Sequence, residues 1–224
     1  PMAEEIELPV PAPNLPGHTV LVTGSGRRLR DLDRLPLESI GAVVVHDDGR
    51  HGTLYTANVR QFEVLTSEWN SHLAVHDDTV ARTGTNFHAV VHAQPPNLVY
   101  LSHVPAYRED EERFSRRLIR WQPETIVQLP AGIGILPFML PSSDQLSAAT
   151  VESLREHRIT VWSKHGVMAR SDISVTRAVD RIEYAEAGAR YEYMDLMAGS
   201  QGEGLTDAES ADMVAAFGIK TKLF

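Results

Sequence analysis

The 224-residue chain is 42% hydrophobic, 23% charged and 7% aromatic, the composition of a globular protein long enough to bury a sizeable core. Its formal net charge of -9 argues against nucleic acid or an anionic membrane as the main partner, since both need a clustered positive field; a small phosphorylated ligand needs only a local site. The absence of cysteine excludes disulfides, thiolate nucleophiles and cysteine-held zinc, so any metal must rest on His, carboxylate, amide or backbone oxygen.

Residues 1–18 are Pro-rich and acidic, and read as an N-terminal extended segment; residues 19–224 read as one domain. The opening Pro1 suggests a trimmed chain, and the segment lacks the basic start and apolar core of a signal peptide. No run of 18 apolar residues exists, so no membrane-spanning helix is expected and the protein is read as cytoplasmic. His18–Thr23 is a short β-branched run closed by Gly24-Ser25-Gly26, a strand and then a turn. Gly41–His46 and Thr53–Thr56 are strands about the turn Asp47-Asp48-Gly49. Thr66-Ser67 opens a helix, with Glu68 in its first turn, expected to run to about His76. Asn86–His92 is a strand and Asp110–Trp121 a surface helix. Thr125–Leu129 and Gly132–Met139 read as strands separated by Pro130-Ala131-Gly132. Ser143 or Asp144 caps a helix to about His157, and Ile159–Trp162 and Gly166–Ala169 are strands flanking Lys164-His165. A long helix starts near Thr176; Thr206 and Glu209 form a capping box for a last helix, which Gly218 ends. The sum is an α/β fold with helices on a mostly antiparallel sheet and no strict βαβ alternation.

Alternate strand residues face one side, about 6.5–7 Å apart, so His92 and Gln94 can converge on one ion. His165, in the turn between two strands, is a candidate third ligand, and three protein ligands with an open position is the pattern of catalytic zinc. From the residues alone this is weak: among ten histidines, a hydrogen-bonded strand His and an exposed loop His are the commoner meaning, and a Gln oxygen is a poor zinc ligand. His88 lies roughly 13 Å along the strand from His92. Glu68 is either a favourable partner of the helix dipole or an acid–base group, and Glu124 is either a surface carboxylate or a proton-transfer group; a general base near neutrality requires burial. The Gly24-Ser25-Gly26 turn could offer backbone N–H groups to a phosphate. It is not a dinucleotide fingerprint, because Arg27, Arg28 and Leu29 stand where the third glycine is needed. No tyrosine is followed by lysine at the fourth position, and neither a Walker lysine motif nor a Gly-x-Ser-x-Gly elbow is present.

Several segments in chain order resemble the class II, zinc-dependent aldolases. They are VTGSG (Val22–Gly26), TSE (Thr66–Glu68) with His72 in the following helix, VVHAQPPNLV (Val90–Val99), PAGIGILPFMLP (Pro130–Pro141), KHGVMA (Lys164–Ala169) and the long helix from Thr176. The GIGILPFMLP stretch and its spacing to KHG are the most specific, and the likeness spans about Thr19 to Phe217, to the rhamnulose branch more than the fuculose branch.

The resemblance implies an α/β/α layered domain around a central antiparallel sheet, assembled as a homotetramer with the active site where subunits meet. It implies zinc held by His92, Gln94 and His165, with Gln94 where the family has His. It implies Glu68 as the acid–base carboxylate, Glu124 as a proton-transfer residue supplied by the neighbouring subunit, and Ser25, Gly26 and Ser67 as phosphate holders. The implied substrate is a small phosphorylated sugar, rhamnulose 1-phosphate, cleaved to dihydroxyacetone phosphate and L-lactaldehyde. No Schiff-base lysine is needed, and the chain has only Lys164, Lys220 and Lys222. Two departures stand out. Gln94 weakens the site for zinc or admits a harder divalent ion, and the family's Gly-Gly-Asn segment ahead of the VTGSG strand is not found. Two alternatives follow: an epimerase or dehydratase on the same scaffold, where Glu68 rather than Asp favours aldolase or dehydratase, and a silent relative serving assembly, as in adducin head domains.

Overall fold

The computed structural model describes residues 1–224. The chain divides into two compact units, one of Pro1–Asn86 with Pro141–Ala148 and the other of Phe87–Leu140 with Ala149–Phe224.

The first unit contains β1 (Met2–Glu7), β2 (Thr19–Thr23), short helices α1 (Leu29–Arg34) and α2 (Pro36–Ser39), β3 (Ile40–Val45), β4 (His51–Thr56) and α3 (Trp69–Thr83). Its sheet runs β1-β4-β3-β2, antiparallel throughout. Alternation of buried Val20, Val22, Val43, Val45 and Leu54 with outward residues gives the sheet one core face, which packs with Leu8, Leu15, Trp69 and Leu73. The N-terminal extended segment supplies β1, an edge strand in register with β4 from Met2–Thr56 to Glu7–His51. Helix α3 outruns its expected end at His76 by seven residues. The polar run His76-Asp77-Asp78 suggests a stop, yet Val75 and Thr79 continue the buried face and Asp78 pairs with Arg82 one turn on, at 2.9 Å. Gly84, at φ 63°, then closes the helix.

The second unit contains β5 (Ala89–Ala93), α4 (Pro96–Leu101), α5 (Pro105–Arg108), α6 (Glu111–Ile119), α7 (Pro123–Gln128) and β6 (Gly134–Leu136). After α8 (Asp144–Glu156), which begins in the first unit, come β7 (Ile159–Trp162), β8 (Gly166–Ser171), α9 (Val175–Met197) and α10 (Asp207–Phe217). The sheet order is β5-β8-β7-β6, with only β6 and β7 parallel. The α/β class with largely antiparallel pairing stands, its strands shared between two four-stranded sheets. Strands β7 and β8 are buried at every residue, which is why they read as continuous apolar runs. Helix α9 buries Ile182, Ala185 and Ala189 of the apolar three-and-four series Ile182, Ala185, Ala189, Tyr193 and Leu196, but Tyr193 is half-buried and Leu196 exposed, and the buried residues of the last turns are Glu192 and Asp195.

Two expected strands are corrected. Thr125–Leu129 is not a strand: Pro123 takes the first helical position and Gln122 the N-cap, and Thr125, Ile126 and Leu129 are buried at helical spacing. Its β-branched Thr-Ile-Val run pointed to the wrong element because tertiary burial outweighs propensity. Gly132–Met139 narrows to the three residues of β6, since Pro137 has no N–H to offer a ladder.

Candidate active site

Four of the eight candidate residues, His92, Gln94, Glu124 and His165, lie in the second unit, and Ser25, Gly26, Ser67 and Glu68 lie in the first. In the second unit β5 carries His92 opposite Met168 of β8. The three-residue turn Ser163-Lys164-His165 joins β7 to β8, closed by the His165 N–H donating to Trp162 O at 2.9 Å. Lys164 occupies the left-handed region at φ 65°, a conformation costing about 1–2 kcal/mol for a residue with a Cβ. It is held there by its N–H donating to Ser102 Oγ at 2.8 Å. This turn brings the His165 ring edge-on to that of His92, with centroids 5.2 Å apart and planes at 62°.

Trp162 lies against both imidazoles, stacked on His92 at 4.7 Å and tilted against His165 at 5.1 Å. His92 Nδ1 sits 2.9 Å from Val167 O. A carbonyl only accepts, so Nδ1 carries the proton and Nε2 keeps its lone pair for an ion, the arrangement usual in metal-binding histidines. Burial lowers the His92 pKa to about 4; the His165 charge acts in the same direction and the Val167 carbonyl partly offsets both. His92 is therefore neutral at physiological pH, as a ligand must be. Gly166 permits the approach: a Cβ there would lie 2.6 Å from Ala93 O, 2.8 Å from His92 Cε1 and 3.3 Å from Gln94 Cγ. The same glycine thus borders His92 and the stem of Gln94, whose side chain is exposed. The structure brings the His92 and His165 rings together, and places only the stem of Gln94 beside them, across Gly166. Glu124 is exposed in the first turn of α7, which packs on α6, α9 and α10.

In the first unit Glu68 is 3% exposed and serves as the N-cap residue of α3, one position before the expected first turn. Its carboxylate faces Ser142, whose N–H donates to Oε2 at 3.2 Å and whose Oγ lies 3.4 Å from Oε1. Burial of this carboxylate is the property that sequence could not supply. Gly24 bridges Leu65, and the turn after it has Gly26 at φ 76°. Two of its amides are committed, Ser25 N–H to Val64 O and Arg27 N–H to Gly24 O, which leaves Gly26 N–H and the Ser25 hydroxyl for a ligand. Ser67 lies three positions along the bridged segment from the residue opposite Ser25. A cleft of about 470 Å³ is lined by Ser67, Thr66, Trp69, Asn70 and Ser142, but Glu4, Glu7, Glu63 and Asp144 on its walls disfavour phosphate.

Sequence reasoning passed over Trp162, Gly166, Asn70 and Ser142. Trp162 carried a usable signal, an aromatic residue three positions before a hairpin histidine. Ser142 carried none, since Pro-Ser-Ser-Asp reads only as a helix cap.

The model of the class II aldolase and adducin N-terminal domain family matches residues 10–193. The chain belongs to that family. Rhamnulose-1-phosphate aldolase of Bacteroides thetaiotaomicron is 29% identical over 98% of this chain and 79% of its own length. The enzyme of the same name from Klebsiella pneumoniae is 30% identical over 96% of this chain and 76% of its own. A sugar-phosphate aldolase structure from Thermotoga maritima superposes with a TM-score of 0.72 at 26% identity, covering 88% of this chain and 80% of that one. This class II aldolase family member is accordingly an enzyme of the aldehyde-lyase class, with the family's α/β fold.

Proposed function

We propose that this family member cleaves rhamnulose 1-phosphate to dihydroxyacetone phosphate and L-lactaldehyde with the help of a divalent ion. The observation carrying the proposal is the meeting of the His92 and His165 rings, with His92 fixed in the tautomer that frees Nε2. Two imidazoles with Trp162 against both fit a borderline metal such as zinc, and Gln94 beside Gly166 fits a weaker oxygen ligand that also admits manganese. When bound, the ion would supply Lewis-acid stabilisation of the charge that develops on substrate oxygens as the C3–C4 bond breaks. His92, Gln94 and His165 would hold it. Glu68, a buried carboxylate, moves the proton at the reacting centre. Glu124, exposed on its own subunit, serves the aldehyde end from a neighbouring copy in a homotetramer. The Ser25 hydroxyl and Gly26 N–H orient the phosphate, whereas the acidic walls of the cleft at Ser67 argue against that role for Ser67. Support for the substrate comes from the two rhamnulose-1-phosphate aldolases, each similar over nearly the whole chain.

Elemental analysis of protein expressed with zinc and manganese, followed by a coupled assay for dihydroxyacetone phosphate, tests this. About one ion per chain, lost in His92→Ala, with cleavage of rhamnulose 1-phosphate, is the expected result. A second reading is favoured by the exposed Gln94 amide: a relative without metal, serving assembly. Absence of metal at every supply, together with absence of turnover, would overturn the aldolase reading.

A further inference from the structure

We infer that Ser142 is a positioning residue for Glu68, and that its hydroxyl serves both protonation states of that carboxyl. The inference rests on the reading of Glu68 as the acid–base group. An acid–base carboxyl must be oriented as an anion, an acceptor only, and again as an acid, a donor. A backbone N–H suits only the first state. Ser142 offers both kinds of contact from one residue, its N–H at 3.2 Å from Oε2 and its Oγ at 3.4 Å from Oε1.

The hydroxyl has a single proton and a second acceptor, Ser67 O, at 2.8 Å. With Glu68 ionised, that proton can turn to Oε1. With Glu68 protonated, the acid proton points to a lone pair of Ser142 Oγ while the serine proton returns to Ser67 O. No heavy atom moves between the two states, and the proton count on the pair changes only by the one that Glu68 exchanges with substrate.

The backbone is held for this task. Ser142 has φ 60°, the left-handed region that a side chain disfavours. Its carbonyl accepts from Asn70 Nδ2 at 3.0 Å; Asn70 is itself buried and anchored by Ser71 N–H donating to its Oδ1 at 2.8 Å. On the far side Ser143 Oγ accepts from Leu146 N–H at 3.1 Å, fixing the start of α8. A strained non-glycine residue, clamped by a buried amide and aimed at a buried carboxylate, is the signature of a constrained site rather than of an ordinary loop.

The test compares the zinc-loaded protein with Ser142→Ala, Ser142→Gly, Glu68→Gln and the double variant Glu68→Gln with Ser142→Ala, using rhamnulose 1-phosphate. Both serine variants keep the N–H and lose the hydroxyl, and glycine also relieves the left-handed backbone, so Ser142→Gly should melt no lower than the parent. The expected result is a fall in kcat of about tenfold in each, with KM within about twofold, and no further loss when Ser142→Ala is added to Glu68→Gln. Parental kcat in both serine variants while Glu68→Gln is inactive overturns the role of Ser142 and leaves that of Glu68 standing. Parental kcat in Glu68→Gln, or no turnover by the parent chain, overturns the reading of Glu68 and this inference with it. A rise in KM at unchanged kcat assigns Ser142 to substrate binding and overturns it as well.

Discussion

At the scale of single residues the site depends on groups that hold the candidate ligands as much as on the ligands. The His92 ring is fixed at one nitrogen by Val167 O and on its face by Trp162, and the His165 ring leans on the same indole. Removing the indole takes away the face on which both imidazoles lean while leaving the His92–Val167 contact, and hydrogen-bonded outer partners of metal ligands, for comparison, are worth about 10–100-fold in metal affinity. Trp162→Leu should therefore weaken zinc binding by about tenfold or more, whereas Trp162→Phe, which keeps a flat ring, should stay within about threefold. Competition against a chelating dye reads both constants; equal affinity in Trp162→Leu and the parent would show that stacking does not hold the rings. The histidines themselves were legible in the sequence. Their tautomer and their shared buttress were not, because both depend on strands and a turn far apart in the chain.

At the scale of elements, α9 is the spine of the second unit, packing on β5, β8, α4, α6 and α7. Its mid-helix Gly188 would ordinarily be a weakness, since alanine is favoured there by about 1 kcal/mol. Here a Cβ would lie 2.2 Å from Leu118 O, so the glycine is what lets α6 approach. Gly188→Ala should destabilise the protein by about 1–3 kcal/mol through overpacking, read as a lower urea midpoint. Stabilisation instead would mean that the helices can separate freely.

Helix α6 is tied to the end of α8 by Glu111 and His157, at 3.1 Å, with His157 Nδ1 at 2.8 Å from Ala131 O. Burial alone depresses the His157 pKa, but the Glu111 hydrogen bond and charge and the Ala131 carbonyl raise it overall above its usual 6.5. The His157 hydrogen bond lowers Glu111 below its usual 4.5, against the opposing effect of burial, with help from Ile135 N–H. The histidine contribution is complete below 6.5 and fades as pH rises through its folded value; the Glu111 contribution is complete above 4.5 and fades as pH falls through its folded value. His157→Gln, which can keep the hydrogen bonds without the charge, should lose most stability relative to the parent between pH 4.5 and 6.5 and converge with it in alkali. A gap that does not change with pH would deny the charge any role.

At the scale of the whole molecule, the candidate ligands His92, Gln94 and His165 sit on β5, just past its end and on the β7–β8 turn, all in the second unit. An ion bound there cross-links that unit and binds its folded form only, so saturating metal should stabilise it. At one hundred times the dissociation constant the gain is about 2.7 kcal/mol, roughly 5–10 °C in Tm for a chain of this size. Zinc or manganese should raise the melting temperature of the parent and leave that of His92→Ala unchanged; equal shifts in both would place the ion elsewhere.

The sequence by itself determined the family, most strands, the long helix and the first part of its buried face, and it nominated the candidate ligands, because periodicity, caps and the GIGILPFMLP-to-KHG pattern are local or linear signals. It misread Thr125–Leu129 as a strand, where a buried helical face overrode β-branched propensity. Tertiary structure alone decided that His92 and His165 meet, that Glu68 is buried, and that a left-handed Ser142 faces it. Each of these depends on residues brought together across tens of positions, where packing and the satisfaction of buried polar groups set the outcome.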